Sequence, residues 1–118
     1  MNKLLAAALL CALSAAPAAA QSIGGSYDVA GTNFDGSPYG GTAEITLTSE
    51  TTCVIEWTTG PTTSQGICMR NDNAFAAGYV LGDEIGLVVY KVMPDGSLHG
   101  LWTIAGKEGN GTEVLNPQ

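Results

Sequence analysis

Short stretches of alternating apolar and polar residues fill the chain from about residue 25 onward, and they restrict it to strands. Clusters of Gly, Pro, Asn, Asp and Ser interrupt them roughly every 8 to 12 residues, a spacing typical of antiparallel sheets and barrels. No helical periodicity stands out between the clusters. About eight strands are predicted, at residues 25–31, 41–48, 52–58, 63–70, 74–81, 85–93, 98–105 and 111–115.

Short turns between consecutive strands favour an all-β fold, a single small antiparallel up-and-down (meander) barrel. Closure would remove both sheet edges, whereas a flattened sandwich or an incompletely closed barrel would leave them. The interior of an eight-stranded barrel is just wide enough to be filled by side chains or to hold one small ligand.

Cys53 and Cys68 lie symmetrically about Gly60-Pro61. A chain that folds back there places the two cysteines opposite each other, a geometry that a disulfide can span, and Trp57 opposite Ser64. Closing a loop of about 15 residues stabilises a small domain by roughly 3 kcal/mol. The alternative is a reduced, buried pair.

Two further turns fix predicted registers. Met93-Pro94-Asp95-Gly96-Ser97 has proline and glycine where a bulged hairpin turn needs them, which pairs Tyr90 with Gly100 and Lys91 with His99.

Arg70-Asn71-Asp72-Asn73, if centred on its second and third residues, pairs Cys68 with Phe75 and Ser64 with Tyr79. The cysteine hairpin and the other two turns put the same set of side chains on the inner face.

Residues 1–20 form a predicted signal peptide, with Lys3 at its start, a short apolar run and Ala18-Ala19-Ala20 before the cleavage point. The domain would then be residues 21–118, exported to the periplasm or the medium of a bacterium. Lipid attachment at Cys11 is an alternative, although Leu10 stands where a small residue is expected. The apolar run is too short to span a bilayer.

Acidic residues dominate the charge. The formal net charge of the chain is −7, and loss of Lys3 with the leader makes it −8. Such a surface argues against nucleic acid and anionic lipid as partners, so we expect no nucleic-acid binding and no membrane contact after signal removal.

Residues for catalysis or metal binding are scarce. His99 is the single histidine and is expected on the solvent face beside Lys91, with no nucleophile to activate. Asp83-Glu84 and Asn71-Asp72-Asn73 offer oxygen ligands, but both lie at predicted turns and neither matches a calcium-binding loop. We therefore expect no enzyme activity, no cofactor and no metal.

The predicted inner face is rich in aromatic residues. Its members are Trp57, Trp102, Tyr27, Tyr79, Tyr90 and Phe75. They either fill the core or line a ligand pocket at one barrel mouth, where hydroxyl and indole N–H groups supply polar contacts. Tyr39, next to Pro38 and outside the predicted alternation, is the candidate rim aromatic. The candidate contacts to a small apolar ligand are Tyr39, Trp57, Tyr79, Tyr90 and Trp102.

A second candidate surface lies outside. Leu87, Val89 and Leu101 accompany Ile85 on the predicted outer face of the sixth and seventh strands. They either pack against a terminus or loop, or form a surface for a protein partner or self-association.

Several motifs resemble those of a family of small exported bacterial β-proteins, some of whose members are labelled fibronectin-binding. They are Gly25-Ser26-Tyr27-x-Val29, Asp35-Gly36-Ser37-x-Tyr39-x-Gly41, Gly86-x-Val88-Val89-Tyr90, Asp95-Gly96-x-Leu98-x-Gly100-x-Trp102 and Gly111-Thr112-Glu113. The resemblance implies an adhesion or binding role. Because these are turn and core residues, it assigns no functional residue.

In outline the architecture also resembles the avidin and calycin group, without their ligand residues. Bacterial periplasmic inhibitors of proteases or lysozyme are small disulfide-bonded barrels too, but with different cysteine spacings. The leading hypothesis is an exported, non-enzymatic binding module for an unknown protein partner. The alternatives are a small-ligand carrier with an aromatic interior and a periplasmic inhibitor of a hydrolase.

Overall fold

The computed structural model describes residues 22–118 as a closed barrel of eight antiparallel strands, without a helix among these residues. This confirms the predicted fold class and decides for closure. The strands, in chain order and in barrel order, are β1 (Gly25–Thr32), β2 (Pro38–Leu47), β3 (Thr52–Thr59), β4 (Thr62–Asn71), β5 (Ala74–Leu81), β6 (Glu84–Val92), β7 (Leu98–Ile104) and β8 (Gly111–Pro117). β8 pairs with β1 to close the ring.

The predicted signal peptide and Cys11 lie outside the described residues. Residues 22–118 contain no helix with the length and apolar character of a membrane span.

Two hairpin registers match the sequence prediction. In β3–β4 Cys53 pairs with Cys68 and Trp57 with Ser64, and the two cysteines form a disulfide with a Cα–Cα distance of 4.9 Å. In β6–β7 Tyr90 pairs with Gly100. The disulfide, rather than a reduced pair, is thereby confirmed.

The predicted β4–β5 register is wrong by one turn position. The turn is centred on Asp72-Asn73, so Cys68 pairs with Ala77 rather than Phe75, and Ser64 does not pair with Tyr79. Asp72 takes the left-handed conformation, with φ of 55°. Because moving the turn centre by one residue shifts the pairing by two, every side chain stays on its predicted face.

One end of the barrel is filled. We call it the closed end; it carries the β2–β3, β4–β5 and β6–β7 turns. Phe75 and Leu98 are fully buried there, and the disulfide lies on the wall. Ile23, just before β1, is 5% exposed, and its carbonyl accepts a hydrogen bond from the Tyr27 hydroxyl at 2.6 Å. The other end, which carries the β1–β2, β3–β4, β5–β6 and β7–β8 turns, is called the open end.

Aromatic rings in the barrel lie over glycines of the neighbouring strand. The cross-strand pairs are Tyr39 with Gly31, Tyr79 with Gly86, Tyr90 with Gly100 and Trp102 with Gly111. At each of these glycines an added Cβ would overlap the partner ring. The glycines therefore make the room in which large rings lie flat along the inner wall.

The outer apolar face of β6 and β7 is exposed. Ile85, Leu87, Val89 and Leu101 are between 51% and 65% exposed. Within residues 22–118, neither a terminus nor a loop covers them.

Candidate functional site

A pocket of about 280 Å³ opens at the open end of the barrel. The interior is therefore filled in its closed half and hollow in the other. Walls and floor of the pocket come from every strand except β1, together with the turn that follows β1. The lining residues are Asn33, Tyr39, Trp57, Thr59, Thr62, Ser64, Tyr79, Leu81, Val88, Trp102 and Glu113.

Glu113, on β8, is the one charged side chain among these lining residues, and it is 6% exposed. Its Oε2 accepts hydrogen bonds from the Trp57 indole N–H at 3.0 Å and from the Tyr90 hydroxyl. Its Oε1 accepts one from the Tyr39 hydroxyl at 2.8 Å. Three donors from three different strands converge on this carboxylate, which satisfies its buried oxygens.

The positions of two of these donors follow from glycines beside Glu113. Its cross-strand neighbours are Gly31 on β1 and Gly100 on β7. Gly31 lies under the ring of Tyr39, and Gly100 lies under the ring of Tyr90. Since neither glycine has a side chain, both rings reach across toward β8 and bring their hydroxyls to the carboxylate.

Aromatic rings form the walls above Glu113. Trp57 and Tyr79 meet edge to face, with ring centroids 5.3 Å apart. On the other side Trp102 packs against Phe34 at 4.9 Å and against Tyr39 at 6.1 Å. These contacts hold rings in several planes around one space, which fixes the shape of the pocket.

Two tyrosines of the pocket and Tyr90, below it, are held in their neutral form. Burial, reinforced by the charge of Glu113, raises the pKa of Tyr79 to about 12. The same two causes raise the pKa of Tyr39 and of Tyr90. At neutral pH all three phenols therefore remain hydrogen-bond donors.

A basic residue at the mouth is already paired. Lys107, in the β7–β8 turn, lies 3.0 Å from the Glu84 carboxylate and lines a shallow depression beside the pocket. Asn33, Leu81 and Trp102 line both this depression and the pocket, so the two adjoin.

The structure separates the candidate residues of the sequence analysis into three groups. Tyr39, Trp57, Tyr79 and Trp102 line the pocket, and Tyr90 lies in the core below it, 1% exposed. Leu87, Val89 and Leu101 lie on the outside of the barrel, away from the pocket.

Tyr39 differs from its expected placement. It was expected outside the strand alternation, but β2 begins at Pro38, three residues earlier than predicted, and Tyr39 points inward at the mouth.

Sequence reasoning missed Glu113 and Phe34. The inward position of Glu113 is predictable, because the alternation of the last strand places it on one face with Gly111 and Leu115. Phe34 lies in a turn, where alternation gives no information about side-chain direction.

His99 is exposed, pairs with Lys91 across the hairpin and lies 3.2 Å from the Ser97 hydroxyl. Within residues 22–118, no group of three or more His, Cys, Asp or Glu side chains is arranged to hold a metal ion.

No protein-family model matches this chain, and no curated protein matches it. Among solved structures it is similar to a redesigned β-barrel, b11L5F_LGL, with a TM-score of 0.70 and 16% identity over 81% of this chain and 91% of that one. It is also similar to mFAP1, a redesigned β-barrel bound to DFHBI, with a TM-score of 0.69 and 20% identity over 80% and 94% of the two chains.

A de novo designed fluorescence-activating β-barrel gives a TM-score of 0.64 and 17% identity over 80% of this chain and 93% of that one. At these identities the likeness concerns the fold alone.

Proposed function

We propose that this protein is an exported, non-enzymatic binding module that takes one small ligand into the pocket at its open end. The observation that carries the proposal is the half-filled interior: the closed half is packed with buried side chains, whereas the other half is a pocket with aromatic walls and a polar floor. Apolar walls with a few convergent polar groups are the usual character of small-molecule sites.

The volume of the pocket limits the size of the ligand. At about 280 Å³ the pocket lies near the lower end of the range for small-molecule sites, roughly 300 to 1,000 Å³. The solved barrel mFAP1 is bound to DFHBI, and this likeness supports a barrel of the same architecture holding a small molecule. The half-filled interior therefore favours a small-ligand carrier over a protein-binding module.

Intrinsic fluorescence gives a direct test. The chain has two tryptophans, Trp57 and Trp102, and both line the pocket. A panel of small neutral, cationic and anionic compounds is titrated while tryptophan emission and thermal midpoint are recorded. We expect at least one compound to change the emission saturably and to raise the midpoint.

Two neighbouring substitutions on β4 serve as variant and control. Ser64→Leu adds bulk to the pocket lining, while Thr63→Leu adds bulk on the exposed outer face. We expect the first to abolish binding and the second to keep it. A panel without hits, or equal binding by both variants, would contradict the proposal.

Protein binding, in an adhesion or inhibitor role, stays a prediction, and so does the resemblance to the exported β-protein family. The exposed outer apolar face on β6 and β7 is what favours it. A pull-down from host matrix or periplasmic extract tests it, comparing wild type with Leu87→Lys and Val89→Lys. Loss of a captured partner in both variants supports this role, whereas identical recovery excludes this face.

A further inference from the structure

From the floor of the pocket we infer the ligand class: a small protonated amine carried on an apolar or aromatic body. This inference rests on the proposed function and makes it specific. It starts from Glu113, whose three side-chain partners are two phenols and an indole. Neutral donors satisfy the oxygens of a carboxylate, but they leave its negative charge without a countercharge.

Among residues 22–118, no cationic side chain lines the pocket. Among its lining residues, the charged member is Glu113 alone, and Lys107 at the mouth is paired with Glu84. An anionic ligand would therefore meet an unopposed negative charge in a low-dielectric space, an unfavourable juxtaposition of like charges. A cation would supply the missing countercharge.

The carboxylate also has room for one more donor. Oε2 accepts two of the three hydrogen bonds and Oε1 accepts one, while a carboxylate has about four acceptor sites. Tyr39, the donor to Oε1, is itself a wall of the pocket. An ammonium N–H that enters the pocket can therefore donate to Oε1 beside the Tyr39 hydroxyl.

The walls suit the same ligand. Trp57, Tyr79, Tyr39 and Trp102 present rings in different planes around the space above Glu113. A cation within about 6 Å of such ring faces is attracted by their quadrupoles, most strongly by tryptophan. The apolar body of the ligand would contact the same rings. The negative net charge of the protein would in addition attract a cation and raise its association rate.

The test compares probes that share one body: 2-phenylethylamine, which is protonated at pH 7, the neutral 2-phenylethanol and the anionic 3-phenylpropanoate. Dissociation constants are measured by tryptophan fluorescence on the wild-type protein at low salt. We expect the amine to bind about tenfold or more tightly than the alcohol, and the carboxylate to bind least.

Two substitutions remove one negative charge each. Glu113→Gln removes it at the pocket floor, while Glu56→Gln removes it from an exposed carboxylate on the outer face of β3. We expect the first to remove the preference for the amine over the alcohol and the second to keep it. Near-ultraviolet circular dichroism checks that each variant folds. If Glu113→Gln does not fold, equal affinity of the wild type for amine and alcohol still overturns the inference, and an amine preference that Glu56→Gln keeps supports it.

The outcomes separate the inference from the proposed function. Equal affinity for amine and alcohol, or an amine preference that survives Glu113→Gln, would overturn the inference and leave the binding module standing. The inference would also be overturned if the compound panel yielded only neutral or anionic ligands and no amine. Absence of any ligand from panel and probes contradicts the proposed function.

Discussion

The indole N–H of Trp57 donates to Glu113 Oε2 across 3.0 Å, and this hydrogen bond crosses the barrel interior. The two residues are 56 positions apart and lie on β3 and β8, which are three strands apart around the ring. The bond therefore connects opposite walls through the interior rather than through the backbone ladder.

Trp57→Phe should lower the free energy of unfolding by about 1.5 to 3 kcal/mol, because it removes a donor to a buried carboxylate. Urea denaturation followed by circular dichroism measures the change. Trp102→Phe is the matched control: the Trp102 indole donates to the Thr112 carbonyl at 3.2 Å in a half-exposed position, so a loss of about 1 kcal/mol or less is expected. If both variants lose the same free energy of unfolding, the cross-barrel hydrogen bond contributes no more than the Trp102 hydrogen bond.

Replacing glycine by alanine should change the free energy of unfolding in opposite directions at two positions in the sheet. A Cβ at Gly100 would lie 2.6 Å from Cδ1 of the Tyr90 ring, which is 1% exposed and has no room to move. Gly100→Ala should therefore cost about 1 to 3 kcal/mol. Gly78→Ala places its Cβ in open space and should stabilise by about 0.5 to 1 kcal/mol. Thermal unfolding of both variants checks this, and a neutral Gly100→Ala would speak against tight packing of Tyr90.

Alkaline pH should destabilise the barrel in a way that depends on Tyr79. Its pKa is raised to about 12 in the folded chain, compared with about 10 when unfolded. From about pH 10 upward the unfolded chain loses the proton first, so stability falls as pH rises toward 12.

The urea midpoint, measured between about pH 9 and 11.5, follows this loss. Tyr79→Phe should flatten the decline without removing it, because the pKa of Tyr39 and of Tyr90 is raised as well. Superimposable pH profiles for wild type and variant would refute the assignment to Tyr79.

Loss of the disulfide should lower stability substantially without changing the fold. Cys53 and Cys68 are 15 positions apart, so the chain-entropy model gives about 3 kcal/mol. For a domain of this size that corresponds to a fall in thermal midpoint of roughly 12 to 24 °C. The Cys53→Ala/Cys68→Ala variant and the reduced wild type should melt at similar temperatures. If the variant has the same thermal midpoint as the oxidised wild type, the disulfide does not contribute to stability.

The sequence predicts the barrel wherever turn residues identify a single turn centre. Gly60-Pro61 and Pro94-Asp95-Gly96 do so, and the β3–β4 and β6–β7 registers follow correctly. Asn71-Asp72-Asn73 offers three consecutive residues that tolerate positive φ, so local chemistry does not choose among them. In the structure the turn is centred on Asp72-Asn73 rather than on Asn71-Asp72.

The candidate site is predicted less completely, because its chemistry depends on which strands face each other across the interior. Alternation identifies Trp57 and Tyr79 as inward residues, but their distances to Glu113 follow from closure of the ring. Glu113 is one of eleven acidic side chains in the chain, and its sequence position on a terminal strand resembles that of a solubilising surface residue. Its placement between Gly31 and Gly100 is a property of the sheet rather than of neighbouring sequence.

The hollow half of the barrel has a consequence for how this chain can vary. Thr59, Thr62 and Ser64 are short polar residues on the pocket wall, remote from Phe75, Leu98 and the disulfide. Exchanges among them would reshape the cavity while the packed half continues to hold the ring together. Recognition could therefore evolve, or be engineered, at these three positions without touching the packed half, whereas Trp57 and Glu113 serve the pocket and the stability of the barrel together.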